Sequence, residues 1–186
     1  MCKHYQGYCL KMNISNFFKN GQLRKIFTVN NIFNLILILF TFFLDRYSKI
    51  KIINSQINSD NLFINNYLNF DLVWNTGIGF GLFNLEANLF YHIVSLLIFF
   101  VILILFYFAF KGNVYEKFLY SLIIGGALGN LYDRITYYAV PDFIDLHIDN
   151  YHWFTFNIAD IFISVGVILL LLKEISYKKK DKEKIY

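Results

Sequence analysis

Charge is what this chain has least of. Only 16% of its 186 residues are Asp, Glu, Lys or Arg, where a soluble chain carries about a quarter. Proline occurs once, as Pro141, and the two cysteines, Cys2 and Cys9, stand together near one end. Two cysteines outside any C-x-x-C pair make neither a disulfide framework nor a zinc site. A secreted disulfide scaffold, a disordered acidic or basic tail and an ordinary soluble enzyme all fit such a composition poorly. No basic nucleic-acid module is present. Residues 1–25 are polar and lack the apolar stretch of a cleaved signal peptide. What the chain has instead is 57% hydrophobic residues, 22 of its positions being Phe. That composition points to a membrane protein.

Four stretches are apolar enough to cross a bilayer. The first runs from Thr28 to Asp45, around LILILFTFFL at 35–44. The second, Leu89 to Phe110, has no formal charge. The third runs from Phe118 to Ile135 and ends in Asn130, Asp133 and Arg134; the fourth is Phe154 to Leu172. Four crossings place both termini on one side. Thirteen of the 17 basic residues fall in the N-terminal segment, the turn at 111–117 and the tail from Lys173. By the positive-inside rule, both termini are then cytoplasmic and the two long connections face outward. The reading is an all-α polytopic membrane protein with four transmembrane helices and a small periplasmic β-sheet region. Residues 1–27 form a cytoplasmic extension, 28–172 the membrane domain and 173–186 a basic tail. The sheet is expected in the outward loop 46–88, where LFINNYLNFDLVWN at 62–75 alternates apolar and polar residues.

Polar residues inside such a frame carry most of the information. Asp160 sits a few residues into the fourth apolar stretch, where an ionised carboxylate among lipid tails is costly. One reading is a helix-start Asp satisfied by free backbone N–H groups. Asp142 follows Pro141 in the preceding outward loop, and a lone loop Asp is usually solvated. The loop between them, however, allows both carboxylates to meet at the outer interface. Two adjacent carboxylates can share a proton, so one activates water while the other polarises a peptide carbonyl and protonates the leaving amine. That chemistry requires no metal. His4, His92, His147 and His152 form no H-E-x-x-H, and His147 and His152 read as interfacial polar groups. Ser95, Ser121 and Ser164 have no evident His partner. Asp45 and Lys49, at i and i+4, read as a surface pair or a loop anchor. Asp133 and Arg134 fit a structural ion pair as well as direct chemistry.

Five pieces occur in order: Asp45 with Lys49; Asn75-Thr-Gly77-Ile-Gly-Phe80-Gly81; Gly125-Gly-Ala-Leu-Gly-Asn130-Leu-Tyr-Asp133-Arg134; Val140-Pro-Asp142-Phe143-Ile-Asp145; and Phe156-Asn157-Ile-Ala159-Asp160. In these the chain resembles the bacterial lipoprotein signal peptidase (signal peptidase II) family over residues 30–172. The resemblance implies an intramembrane aspartic endopeptidase with catalytic Asp142 and Asp160. Asn75, Gly77, Asn130, Asp133, Arg134, Asn157, Asp45 and Lys49 would bind substrate or support the site. The implied substrates are diacylglyceryl-modified prolipoproteins, cut on the N-terminal side of the lipidated cysteine. The setting is the bacterial inner (plasma) membrane, with the site near the periplasmic face. A monomer in contact with membrane lipids is expected, with no cofactor, metal or nucleic acid. Three positions depart from the family pattern: Gly79, Pro141 and Phe154. The competing readings are a small ion or proton channel or transporter, with Asp160 and Arg134 on its path, and a silent assembly protein.

Overall fold

The computed structural model describes residues 28–56, 62–77, 89–148 and 151–183. The chain divides into two units, residues 1–33 and 34–186. Of the first, the described part is the start of one helix, where the Thr28 hydroxyl accepts the Asn31 N–H at 3.3 Å. Cys2, Cys9, His4, Gly79, Phe80 and Gly81 lie outside the described residues.

Among the described residues there are four long helices and two β-hairpins. In chain order they are α1 (Val29–Gln56), β1 (Leu62–Asn65), β2 (Leu68–Asn75), α2 (Leu89–Lys111), α3 (Val114–Tyr137), β3 (Val140–Ile148), β4 (Tyr151–Phe156) and α4 (Ile158–Glu183). The strands form one open antiparallel sheet in the order β1-β2-β3-β4. The protein is thus an all-α membrane protein with a small open sheet. Among the described residues two helices are long and apolar enough to cross a bilayer, Val29–Ser55 and Tyr91–Lys111. On α2, Leu96, Leu97, Phe100 and Ile104 are exposed, as lipid-facing side chains should be. The expectation of four spans is met on length and composition by these two alone. In α3 the apolar run is diluted by glycines and by Asn130, Asp133 and Arg134, while α4 carries Asp160 in its first turn and Lys173 and Glu174 further on. The two helices that fall short carry Asn130, Asp133, Arg134 and Asp160 along their lengths, whereas α1 confines Asp45, Arg46 and Lys49 to its second half.

Three sequence boundaries shift for physical reasons. Helix α1 does not stop at Asp45 but continues eleven residues to Gln56. Asp45, Arg46 and Lys49 are therefore helical and buried; Asp45 and Lys49 do pair at i, i+4, but inside the protein rather than at its surface. Arg46 and Lys49 find Asp133 on α3, and Asp45 pairs with Lys49 and with the start of α4, which removes the reason to end the helix there. The sheet is not confined to 46–88, because β3 and β4 come from the connection between α3 and α4. Asp142 thus sits on a strand. Phe154 belongs to β4, where it pairs with Leu146, and α4 begins at Ile158. Pro141 is tolerated in a central strand because β4 pairs with β3 only from Ile144 onward.

Close helix approach depends on glycine. A Cβ on Gly126 would come within 2.7 Å of the Ala159 carbonyl oxygen, and one on Gly129 would collide with the Asp45 carboxylate. One apolar cluster, Ile38, Ile102, Ile124 and Leu131, joins α1, α2 and α3. A second, Ile52, Phe143 and Ile144, supports the sheet.

Candidate active site

Helix α4 starts with a capping box. Asn157 is its N-cap: the side-chain Oδ1 accepts the Asp160 N–H at 3.1 Å, and Asp160 Oδ2 accepts the Asn157 N–H at 3.1 Å. The helix-start reading of Asp160 is therefore correct as local structure. It accounts for one carboxylate oxygen. The other, Oδ1, accepts a hydrogen bond from Asn130 Nδ2 of α3 at 2.8 Å.

The same Asn157 reaches the second carboxylate. Its Nδ2 donates to Asp142 Oδ1 at 2.6 Å, and Asn75 Nδ2 donates to Asp142 Oδ2 at 2.9 Å. Strand pairing sets this up: Asn75 lies opposite Val140 and Val73 opposite Asp142, beyond a bulge in β2 after Phe70. Asn75 Oδ1 in turn accepts the Gly77 N–H at 2.9 Å. Asp142 is almost wholly buried. Burial, and then the charge of Asp160, push its carboxyl up to about 6, while the amides of Asn75 and Asn157 pull the other way by stabilising the ionised form.

Beneath the two carboxylates lies a buried ion network. Lys49 Nζ donates to Asp45 Oδ2 (2.8 Å), Asp133 Oδ2 (2.7 Å) and Asn130 Oδ1 (2.8 Å). All three of its protons are used, and Lys49, Asp45 and Asp133 are fully buried. Asp45 Oδ1 accepts the Ala159 N–H at 2.9 Å, placing a second carboxylate at the start of α4. Arg46, not singled out from the sequence, pairs with the other oxygen of Asp133 and lies over the Tyr132 ring at 4.6 Å. Its signal was the i, i+3 relation to Lys49 on a helix that the sequence reading ended too early.

Arg134 goes elsewhere. Its Nη2 donates to the Gly77 carbonyl at 2.8 Å, and its guanidinium lies 5.5 Å from the Tyr91 ring centroid. Its Nε and Nη1 are buried with no hydrogen-bond partner among the described residues. Tyr91, nearly fully buried, was also not foreseen; its hydroxyl donates to the Arg134 carbonyl at 3.4 Å. All ten residues expected at the site thus fall into one hydrogen-bonded set, with Asp45, Lys49 and Asp133 joining through Asn130, and Gly77 and Arg134 joining through Asn75.

Fold and geometry define a membrane protein with two carboxylates held at the junction of sheet and helices. A family model for Signal peptidase (SPase) II matches residues 37–176. The lipoprotein signal peptidase of Pelagibacter ubique (strain HTCC1062) is 42% identical over 165 residues, spanning 87% of this chain and 99% of that protein. That of Thermodesulfovibrio yellowstonii is 46% identical over 109 residues, covering 59% of this chain and 71% of its own. Among solved structures, a bacterial membrane enzyme determined by the in meso method superposes with a TM-score of 0.68 at 29% identity, covering 79% of this chain and 90% of that one. A second such structure gives 0.62 at 30% identity, covering 75% and 90%. The chain belongs to the signal peptidase II family. It is a membrane enzyme of the aspartic signal peptidase type, which sets aside the transporter and assembly readings.

Proposed function

We propose that Asp142 and Asp160 form the catalytic dyad of an endopeptidase that removes signal peptides from diacylglyceryl-modified prolipoproteins. One observation carries this reading: Asn157 binds both carboxylates at once, Asp142 through its side-chain amide and Asp160 through its backbone N–H. The carboxylates are held near one another, buried, and fixed in orientation by neutral donors rather than neutralised by cations. Two carboxylates so placed can share one proton, because neighbouring like charges oppose double ionisation. The ionised member takes a proton from water as the water oxygen attacks the scissile carbonyl. The protonated member donates to the carbonyl oxygen. Collapse of the tetrahedral intermediate breaks the C–N bond and delivers a proton to the leaving amine.

In this reading Asn75, Asn130 and Asn157 orient the dyad. Lys49 with Asp45 and Asp133 fixes α1, α3 and the start of α4 around it. Arg134 braces Gly77 and the chain that follows β2, and its remaining N–H groups suit a substrate carbonyl. The distribution of basic residues supports four crossings with both termini cytoplasmic and the dyad at the outer face. Residues 1–27 and 173–186 then flank a membrane domain at 28–172. A lipidated substrate keeps its acyl chains in the bilayer and brings its scissile bond to that interface, where water is at hand. The test is to give purified protein a diacylglyceryl-modified prolipoprotein and follow signal-peptide release on the N-terminal side of the lipidated cysteine. Wild type releases it; unmodified precursor is left uncut. Release from both substrates alike would overturn the lipid requirement.

A further inference from the structure

The hairpin joining the two carboxylates carries a second cluster of ligand-type side chains. Asp145 and His147 lie two apart on β3 and so project to one face, while Asp142, three residues before Asp145, projects to the other. Regular pairing would set Trp153 opposite His147. Instead the register slips after Leu146↔Phe154, so that His147 faces His152 and Trp153 is the extra residue. Bulges re-aim side chains in this way. The two imidazoles stack with centroids 5.3 Å apart. His152 Nδ1 is 2.7 Å from Asp145 Oδ2, and His147 Nδ1 is 3.4 Å from the same oxygen.

Two features of this cluster are unexplained by packing. His147 Nδ1 is buried without a hydrogen-bond partner among the described residues, as is Asp145 Oδ1, although both residues are more than nine-tenths buried. Buried polar atoms are ordinarily satisfied, because leaving one unpaired costs about 1–3 kcal/mol. The ligating atoms of the three residues all lie within 4.8 Å of one another. Tetrahedral bonds of 2.0–2.2 Å to nitrogen and carboxylate oxygen require ligand atoms roughly 3.3 Å apart, close to the separation of His147 and Asp145. The side chain of His152 is 59% exposed, which leaves an approach for an ion and a position for water.

We propose that Asp145, His147 and His152 bind a divalent metal ion of the zinc type on the outer sheet, separate from the aspartate dyad. Two imidazoles and one carboxylate suit a borderline ion better than calcium or magnesium, which prefer oxygen. The ion would clasp β3 to β4 at the free end of the hairpin, whose other end carries Asp142 and leads into Asn157 and Asp160. Its role is to hold that hairpin, not to activate the attacking water.

The test is direct binding of zinc chloride to untagged full-length protein in detergent, with cobalt(II) absorption as the geometric probe. Wild type binds one zinc per chain, gives a tetrahedral cobalt spectrum and melts at a higher temperature with zinc. H152A, whose exposed side chain makes it a mild change for the fold, binds at least about a hundredfold more weakly and loses the thermal shift. H147Q behaves likewise, and D160N binds as wild type does. The proposal is overturned if wild type takes up no stoichiometric zinc, if H152A binds zinc as wild type does, or if D160N abolishes binding.

Discussion

Helices α3 and α4 open with the same device, an Asn N-cap and an acidic residue three positions on. Asn113 and Glu116 start α3, and Asn157 and Asp160 start α4. In both, the Asn side chain accepts the N–H of the acidic residue, and the acidic side chain accepts the N–H of the Asn. The difference lies in what surrounds them. Asn113 is exposed, and the spare oxygen of Glu116 pairs with Lys173. Asn157 is fully buried, its spare amide holds Asp142, and the spare oxygen of Asp160 takes only the neutral amide of Asn130. A cation neutralises the first carboxylate; neutral donors orient the second and leave its charge available. One local motif thus ends in an ion pair at one end of the helix pair and, at the other, in the site proposed for the chemistry.

The comparison breaks most sharply at the acidic positions. D160N preserves shape and the capping oxygen yet lowers turnover by at least about a thousandfold, consistent with loss of a positioned acid or base. E116Q at the equivalent position leaves turnover within about twofold, because its oxygen meets no substrate. Progress curves on lipidated precursor, with circular dichroism as the folding control, separate the two.

The capping residues give the next largest effect. N157S keeps a capping acceptor but loses the amide to Asp142, so turnover falls about ten- to a hundredfold while thermal stability changes by about 1 kcal/mol or less. N113A costs about 1 kcal/mol of stability, read by thermal melting, and leaves turnover unchanged. If N157S retained full activity, the link from cap to dyad would be wrong.

Acidity sharpens the contrast further. Asp142 is held up to about 6 in the folded protein, above its usual 3.8. A carboxyl raised on folding keeps its proton longer than in the unfolded chain. Its contribution to stability is full below about pH 4 and is lost as pH rises through 6. The melting temperature of D142N relative to wild type therefore climbs between pH 4 and 7. Asn75 favours the ionised form, so N75L moves the acid limb of the pH–rate profile to higher pH; a shift to lower pH would contradict the geometry.

The smallest effect belongs to the outer partner of the α3 cap. K173A removes a partly exposed ion pair and changes stability by no more than about 1 kcal/mol, measured by melting at low and high salt.

The membrane class was legible from the sequence, and Asp160 stood out as an acidic residue in a long apolar run. What was not legible depends on contacts far along the chain. Arg46 and Lys49 marked the end of a helix only while their partner Asp133, more than eighty residues away, was unknown, as was the Ala159 N–H that Asp45 accepts. The string around Asp142 looked like a loop because Asp142 and Asp145 interrupt its apolar residues; it is a strand buried on both faces for most of its length. The dual role of Asn157 could be drawn only from family resemblance, since N-x-x-D by itself specifies a helix start. His147 and His152 looked like isolated interfacial groups because a bulge, invisible to simple alternation, sets them opposite each other.

The central claim is that two carboxylates, joined through Asn157, perform the cleavage. It is tested most directly by single-turnover hydrolysis of a diacylglyceryl-modified prolipoprotein by wild type, D142N and D160N, each shown to be folded. Wild type releases the signal peptide rapidly, and neither variant releases it above background. Cleavage at the wild-type rate by either folded variant would contradict the claim.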